Sequence, residues 1–327
     1  MVCPPPPPRD PSLSQPWHAQ PTPFAGGDLA QPGVFEAALA ARAPAREVIF
    51  LSVGDTRDHR RQYKDPSLRT ISTDFLLNLL GNLRTLGLEH VLLLTTKPLC
   101  LKLQREHCHM GCAWTSLWHD HPNLAAWELK PGDMFLMWAQ QWHYIARALE
   151  LGYGVLRADT DVYFAEDPYA VLRGPLLAPF SLVSQQDFGG PLGGRPKCNR
   201  GARNTAHAAG GATGTQIGGC GTRHGSALLN IGIVYARSTA GGGAHAVING
   251  TWAKFLRKLS GPPARPTHLG GKADPAQLID QELMRQEGCQ GIPSSPALAR
   301  WLPSASTLRI HPACGRLSAS SPCPSSG

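Results

Sequence analysis

Two aspartates, Asp159 and Asp161, stand two residues apart in "LRADTDVYF", Leu156 to Phe164, whose other residues favour a strand. In an extended strand the side chains at i and i+2 share a face, so the two carboxylates would point together at the strand's carboxyl end. Open α/β sheets bind their ligands at that end. Two bare carboxylates repel one another, and burying them costs free energy unless a cation or hydrogen-bond donors compensate. Oxygen ligands select hard divalent ions such as Mg²⁺ or Mn²⁺, and these bridge the phosphate oxygens of a nucleotide. The chemistry implied is a metal-diphosphate site. Asp-x-Asp triplets also occur at ordinary strand ends and turns, so the surroundings decide the meaning. Arg157, just ahead of the pair, can either neutralise the carboxylates or contact a phosphate.

A second cluster, "HCHMGCAWTSLWHDH", gathers His107, Cys108, His109, Cys112, His119 and His121. These are zinc-binding types, but their spacing fits no regular finger. The nine cysteines form no regular framework, and both oxidising and reducing compartments stay open. Asn249-Gly250-Thr251 is a sequon, an acceptor for a glycan if the chain enters the secretory pathway.

Elements must position these groups, and their periodicity is legible. "REVIFLSVG", Arg46 to Gly54, reads as a first buried strand. An amphipathic helix from Thr73 to Leu86 follows, then a stop at Gly87 and a strand over Val91–Leu94, which makes a β-α-β unit. "DMFLMWAQQWHYIARALELGYGVLRADTDVYF" repeats the pattern as a helix, a break at Gly152 and Gly154, and a strand. The aromatics Trp138, Trp142 and Tyr144 on that helix read as core. Strand signals resume at Ser226 to Arg237, followed by a helix over "VINGTWAKFLRKL" and another from Pro275 to Gly288. The alternation predicts an α/β fold with a mostly parallel central sheet flanked by helices.

Composition bounds the rest. The 327 residues are 42% hydrophobic, enough for a substantial core, while 35 Gly and 30 Pro push some segments outside it. Residues 1–45 are predicted to be a Pro/Ala-rich disordered lead, 46–316 the folded domain with a low-complexity insertion at about 189–225, and 317–327 a flexible tail. The lead lacks the apolar core of a signal peptide, and no apolar run spans a bilayer. A net charge of +8 favours an anionic partner, but without a basic block or RNA-binding signature nucleic acid is not expected.

The segment "ALELGYGVLRADTDVYFAEDPY" resembles the signature of the nucleotide-diphospho-sugar transferases of glycosyltransferase family 77. The similarity extends in order through "TDFLLNLLGNLRTLGLEHVLLLTT", "LLNIGIVYARS" and "LIDQELM", over residues 46 to about 314. The resemblance implies a GT-A fold, a Rossmann-like domain, and transfer of a sugar from a nucleoside-diphosphate sugar to a glycan or glycoprotein hydroxyl in the Golgi lumen. Carried over by position, Asp161 ligates Mn²⁺ directly, Asp159 sits near the ribose or the metal's water shell, and Asn230 and Gly232 line the donor sugar. Asp280 and Gln281 bind or orient the reacting substrate, and His311 of "LRIHPACG" is the candidate late metal ligand. The family's glycine and lysine beyond that histidine are replaced by Ser/Pro-rich sequence, which puts diphosphate binding in question. The rival class is a non-catalytic glycan-binding or scaffold protein with the same fold. The resemblance leaves the histidine-cysteine segment with ordinary buried or bridged cysteines.

Overall fold

The structure, a computed structural model, describes residues 13–54, 71–187 apart from 108 and 128, 228–261 apart from 241, and 299–302. Strands β1 (Glu47–Val53), β2 (Val91–Thr95), β3 (Cys112–Ala113), β4 (Gly154–Ala158), β5 (Leu182–Asp187), β6 (Leu228–Ala236) and β7 (Ala299–Leu302) form one sheet in the order β3-β2-β1-β4-β6-β5-β7. β3, β2, β1 and β4 run parallel. β6 runs antiparallel to both β4 and β5, while β5 and β7 pair in parallel. The expected α/β architecture holds, with β6 as the one reversed strand among those described.

Alternate residues of the central strands face opposite layers, as strand geometry requires. Val48 and Phe50 of β1 and Leu92 and Leu94 of β2 pack against α1 (Val34–Arg42), α4 (Met134–Glu150) and α6 (Gly243–Ser260). Ile49, Leu51, Val91 and Leu93 face α2 (Ile71–Thr85), α3 (Lys97–Glu106) and α5 (Pro168–Leu172). A sheet with helices on both faces buries nearly continuous apolar strands, which is why these runs are so legible. Trp142 and Tyr144 are core residues as expected, whereas Trp138 is half-buried and meets Phe135 edge-on.

The disordered lead is corrected for residues 13–45. A 3₁₀ turn, Pro16–His18, and α1 belong to the fold, with Phe35, Ala38 and Leu39 buried. Arg42 fixes α1 to the sheet, donating from Nε to the Val91 carbonyl at 3.0 Å and from Nη2 to the Glu89 carbonyl at 2.7 Å. The alanine-rich composition masks a stripe at Phe35, Ala38, Leu39 and Arg42, whose spacing puts all four on one helix face. The expected insertion at 189–225, the helix from Pro275 and the tail at 317–327 lie outside the described residues.

The zinc possibility fails for Cys112, which is bridged to Cys100 and ties β3 to α3. Both half-cystines are fully buried. At the amino edge of the parallel strands, Glu47 is buried and accepts from Arg173 Nη1 and from Tyr235 Oη. Burial lifts its carboxyl above the usual range, outweighing the downward pull of Arg173.

Candidate functional site

The site forms at the opposite edge, where β4 ends. The expected strand through Phe164 stops at Ala158, and Asp159, Thr160 and Asp161 leave it in a turn. The Asp159 N–H donates to the Gly232 carbonyl at 2.7 Å, and the Val162 N–H turns back to the Asp159 carbonyl at 3.4 Å. Shared strand-face geometry therefore does not bring the two carboxylates together; the turn does.

A register slip in β6 supplies that carbonyl. Ser184 of β5 lies opposite Val234, but the next residue, Gln185, lies opposite Asn230, so Ile231, Gly232 and Ile233 have no register partner on β5. Such irregularities re-aim backbone groups near sites. Here the Ile231 carbonyl accepts from Arg157 Nη1, and the Gly232 carbonyl accepts from Asp159. The Asn-x-Gly strand and the Asp-x-Asp turn thus meet through Gly232. Asn230 lies on β6 at the same carboxyl edge.

Arg157 resolves the choice posed by the sequence. It is 2% exposed, and its Nη2 pairs with Asp159 Oδ1 at 2.6 Å. Its Nε reaches Gln141 Oε1 at 3.4 Å, and the guanidinium stands over the Trp142 ring, 5.7 Å from the centroid. Gln141 Oε1 also accepts from Ser52 Oγ at 2.8 Å, so β1, α4, β4 and β6 meet in one polar knot. The cation is committed to Asp159, with no free face for a phosphate.

The two aspartates consequently differ. Asp159 is half-exposed and neutralised from behind by Arg157. Asp161 is exposed, and among the described residues no lysine or arginine is ion-paired with it. Although exposed, Asp161 sits low enough among protein atoms that lost hydration, followed by the charge of Asp159, raises its pKa. An unneutralised carboxylate in that condition suits a cation. Among the described residues no three His, Cys, Asp or Glu side chains gather into a metal cluster. Two carboxylates are fewer than the six or more oxygen ligands that a hard divalent cation takes. Asp280, Gln281 and His311 lie outside the described residues.

Two neighbours were not evident in the sequence. Asn82 of α2, nearly buried, donates from Nδ2 to the Phe164 carbonyl at 2.7 Å and accepts the Phe164 N–H at 2.8 Å, clamping the chain after the Asp-x-Asp turn. Its only signal was a polar residue among the apolar stripe of Leu76, Leu79 and Leu83. Asp167 ties the far end, capping α5 through the Tyr169 N–H at 2.9 Å and accepting from Trp17 Nε1 at 2.8 Å. Gly54, at the end of β1, is required for space: a Cβ there would lie 2.5 Å from the Met134 Cα at the start of α4.

No protein-family model matches the chain, and no curated protein matches it. Among solved structures, the chain is similar to a glycosyltransferase involved in the glycosylation of the major capsid of PBCV-1, at 11% identity and TM-score 0.35 over 80% of this chain and 82% of that one. It is also similar to mouse xyloside xylosyltransferase 1 in its apo form, at 12% identity and TM-score 0.34 over 80% of this chain and 85% of that one. Likeness at this level bears on neither the reaction nor the site residues, and the fold stands on the strand order and register given above.

Proposed function

We propose that the protein is a metal-dependent glycosyltransferase that moves a sugar from a nucleoside-diphosphate sugar to a hydroxyl of a glycan or glycoprotein. The observation that carries this reading is the division of labour at the end of β4: buried Arg157 neutralises Asp159, while Asp161 stays exposed and, among the described residues, without an ion-paired cation. Asp161 would hold Mn²⁺ or Mg²⁺, with His311 as a further ligand. A divalent ion there supplies Lewis-acid stabilisation of the charge that develops on the departing diphosphate.

The chain's own groups do the positioning. Arg157 fixes Asp159 in place, leaving that carboxylate to accept from a ribose hydroxyl or a metal-bound water. Gly232, whose carbonyl is occupied by Asp159, offers the donor sugar the close approach that a residue without a Cβ permits, and Asn230 offers hydrogen bonds. Asp280 and Gln281 orient the acceptor hydroxyl. The reading includes a secretory, Golgi-type lumen, which the buried Cys100–Cys112 disulfide supports, since such bridges persist in oxidising compartments.

Calorimetric titration of Mn²⁺ and nucleoside diphosphates into the parent, Asp161→Ala and Asp159→Ala tests it. Asp161→Ala should lose metal-dependent nucleotide binding, and Asp159→Ala should weaken it by on the order of 1 to 3 kcal/mol. Unchanged metal-dependent affinity in Asp161→Ala removes the reading. Nucleotide binding without hydrolysis or transfer across a donor panel points instead to the non-catalytic glycan-binding or scaffold protein.

A further inference from the structure

Asn249 and Thr251 lie two residues apart on α6, and a helix turns about 200° over that interval. The two ends of the sequon therefore face opposite ways. Asn249 is exposed, on a solvent stripe with Ala246, Arg257 and Ser260. Thr251 is 1% exposed, and its Oγ1 donates to the Val247 carbonyl at 2.8 Å. The sequon requires both groups, the amide as acceptor and the hydroxyl for recognition. In the folded protein one is presented to solvent and the other is locked into the core.

We propose that Asn249 carries an N-linked oligosaccharide and that the transfer precedes formation of α6. The proposal rests on the secretory part of the functional reading and is independent of the chemistry at Asp161. Two separate observations support it. Among the described residues Asn249 is exposed, so that they leave room for a bulky hydrophilic group there, whereas buried positions of the same helix, such as Ile248 and Trp252, have no such room. The Cys100–Cys112 bridge is the mark of an oxidising compartment, where the chain would meet the oligosaccharide donor. In the step itself the Asn249 amide nitrogen forms a bond to C1 of the first sugar of a diphosphate-linked oligosaccharide. The C1–O bond to the diphosphate breaks, its electron pair departs with the diphosphate, and the amide gives one proton to a base of the transferring enzyme.

Timing follows from Thr251. Once α6 has formed, the hydroxyl is inaccessible, so an unmodified folded chain should be refractory and the same chain unfolded should be a substrate. Placement follows from Asn249. Four residues earlier His245 meets Glu150 at the carboxyl end of α4, which lies at the amino edge of β4, away from Asp161.

The full chain from its native host is digested and analysed by mass spectrometry, with Asn249 occupancy and the oxidation state of Cys100 and Cys112 read from the same material. The expected result is an oxidised Cys100–Cys112 pair and a glycan on most Asn249 side chains. Asn249→Gln should lose the glycan and keep its unfolding curve and nucleotide binding, Thr251→Ser should keep the glycan, and Thr251→Ala should lose it. Oxidised cysteines with bare Asn249 overturn the proposal while leaving the secretory reading; reduced cysteines with bare Asn249 overturn both. A second arm incubates unmodified chain, folded and unfolded, with membranes bearing the oligosaccharide transferase. Only the unfolded chain should be modified, and equal modification of the folded chain overturns the order of events.

Discussion

Alanine at Asp159 and alanine at Asp161 should move the stability of the metal-free protein differently, although the residues are two apart. Asp159→Ala strands the Arg157 guanidinium, which is only 2% exposed. Removing one partner of a fully buried pair costs about 3 to 5 kcal/mol. The pair here is buried on one side only, with side-chain exposures of 3% for Arg157 and 39% for Asp159, so water can take the vacated place. The Ile231 carbonyl and Gln141 Oε1 also remain as acceptors. With that discount the expected loss is about 2 kcal/mol, which corresponds to a fall in Tm of about 4 to 8 °C for a domain of this size. Asp161→Ala removes a like charge from beside Asp159 and breaks no ion pair among the described residues, so its Tm should hold or rise slightly. The measurement is differential scanning calorimetry at neutral pH with a chelator present, adding Arg157→Met/Asp159→Ala, which should recover part of the loss because no buried charge is left alone. An Asp159→Ala Tm equal to the parent's, or equal falls for both single variants, would refute the assignment of Arg157 to Asp159.

Asn82→Ala should cost on the order of 2 to 4 kcal/mol in urea unfolding, because it leaves both the N–H and the carbonyl of Phe164 without their partner; a loss below about 0.5 kcal/mol argues that the clamp is not formed in solution. Reducing the Cys100–Cys112 bridge, or replacing both residues with serine, should remove about 3 kcal/mol, the loop-closure value for a sequence separation of 12, and thermal melts with and without reductant check it. At Glu47 folding raises the carboxyl pKa, so folding penalises the ionised form; the penalty is absent below the unfolded value of about 4.3 and grows as pH rises through the folded value. Glu47→Gln, which keeps acceptors for Arg173 and Tyr235, should therefore gain on the parent between pH 4 and pH 7.5 in urea titrations; a gap that moves the other way contradicts that sign.

Much of the architecture was legible because its segments obey one period each. β1, β2 and β4 are short apolar runs, and the helices before β2 and β4 end at Gly87 and Gly152, both at positive φ where glycine is favoured. α1 was hidden by alanine and proline, and β5 by the polar half of "LVSQQD", a strand that exists because β6 pairs with it. At the site, the sequence singled out Asp159, Asp161 and Gly232 one by one, but not that Asp159 and Gly232 meet or how. The turn at Asp159, the slip of β6 and the commitment of Arg157 depend on atoms from strands far apart in sequence. Asn82 was illegible for the same reason, since its partner is 82 residues away. The disulfide could not be read from nine cysteines with many possible pairings.

The antiparallel course of β6 has a consequence for how the sequence can change. β5 ends at Asp187 and β6 begins opposite it at Leu228, both at the edge of the sheet where β4 delivers Asp159. The paired ends fix the separation that residues 188–227 must close, whatever the length between them. Closure entropy grows only with the logarithm of length, each doubling costing about 0.6 kcal/mol. Insertions and deletions between Asp187 and Leu228 should therefore leave strand register undisturbed, and they enter at the edge where β4 ends. The fold can vary its chain length at that edge at small cost to its own stability.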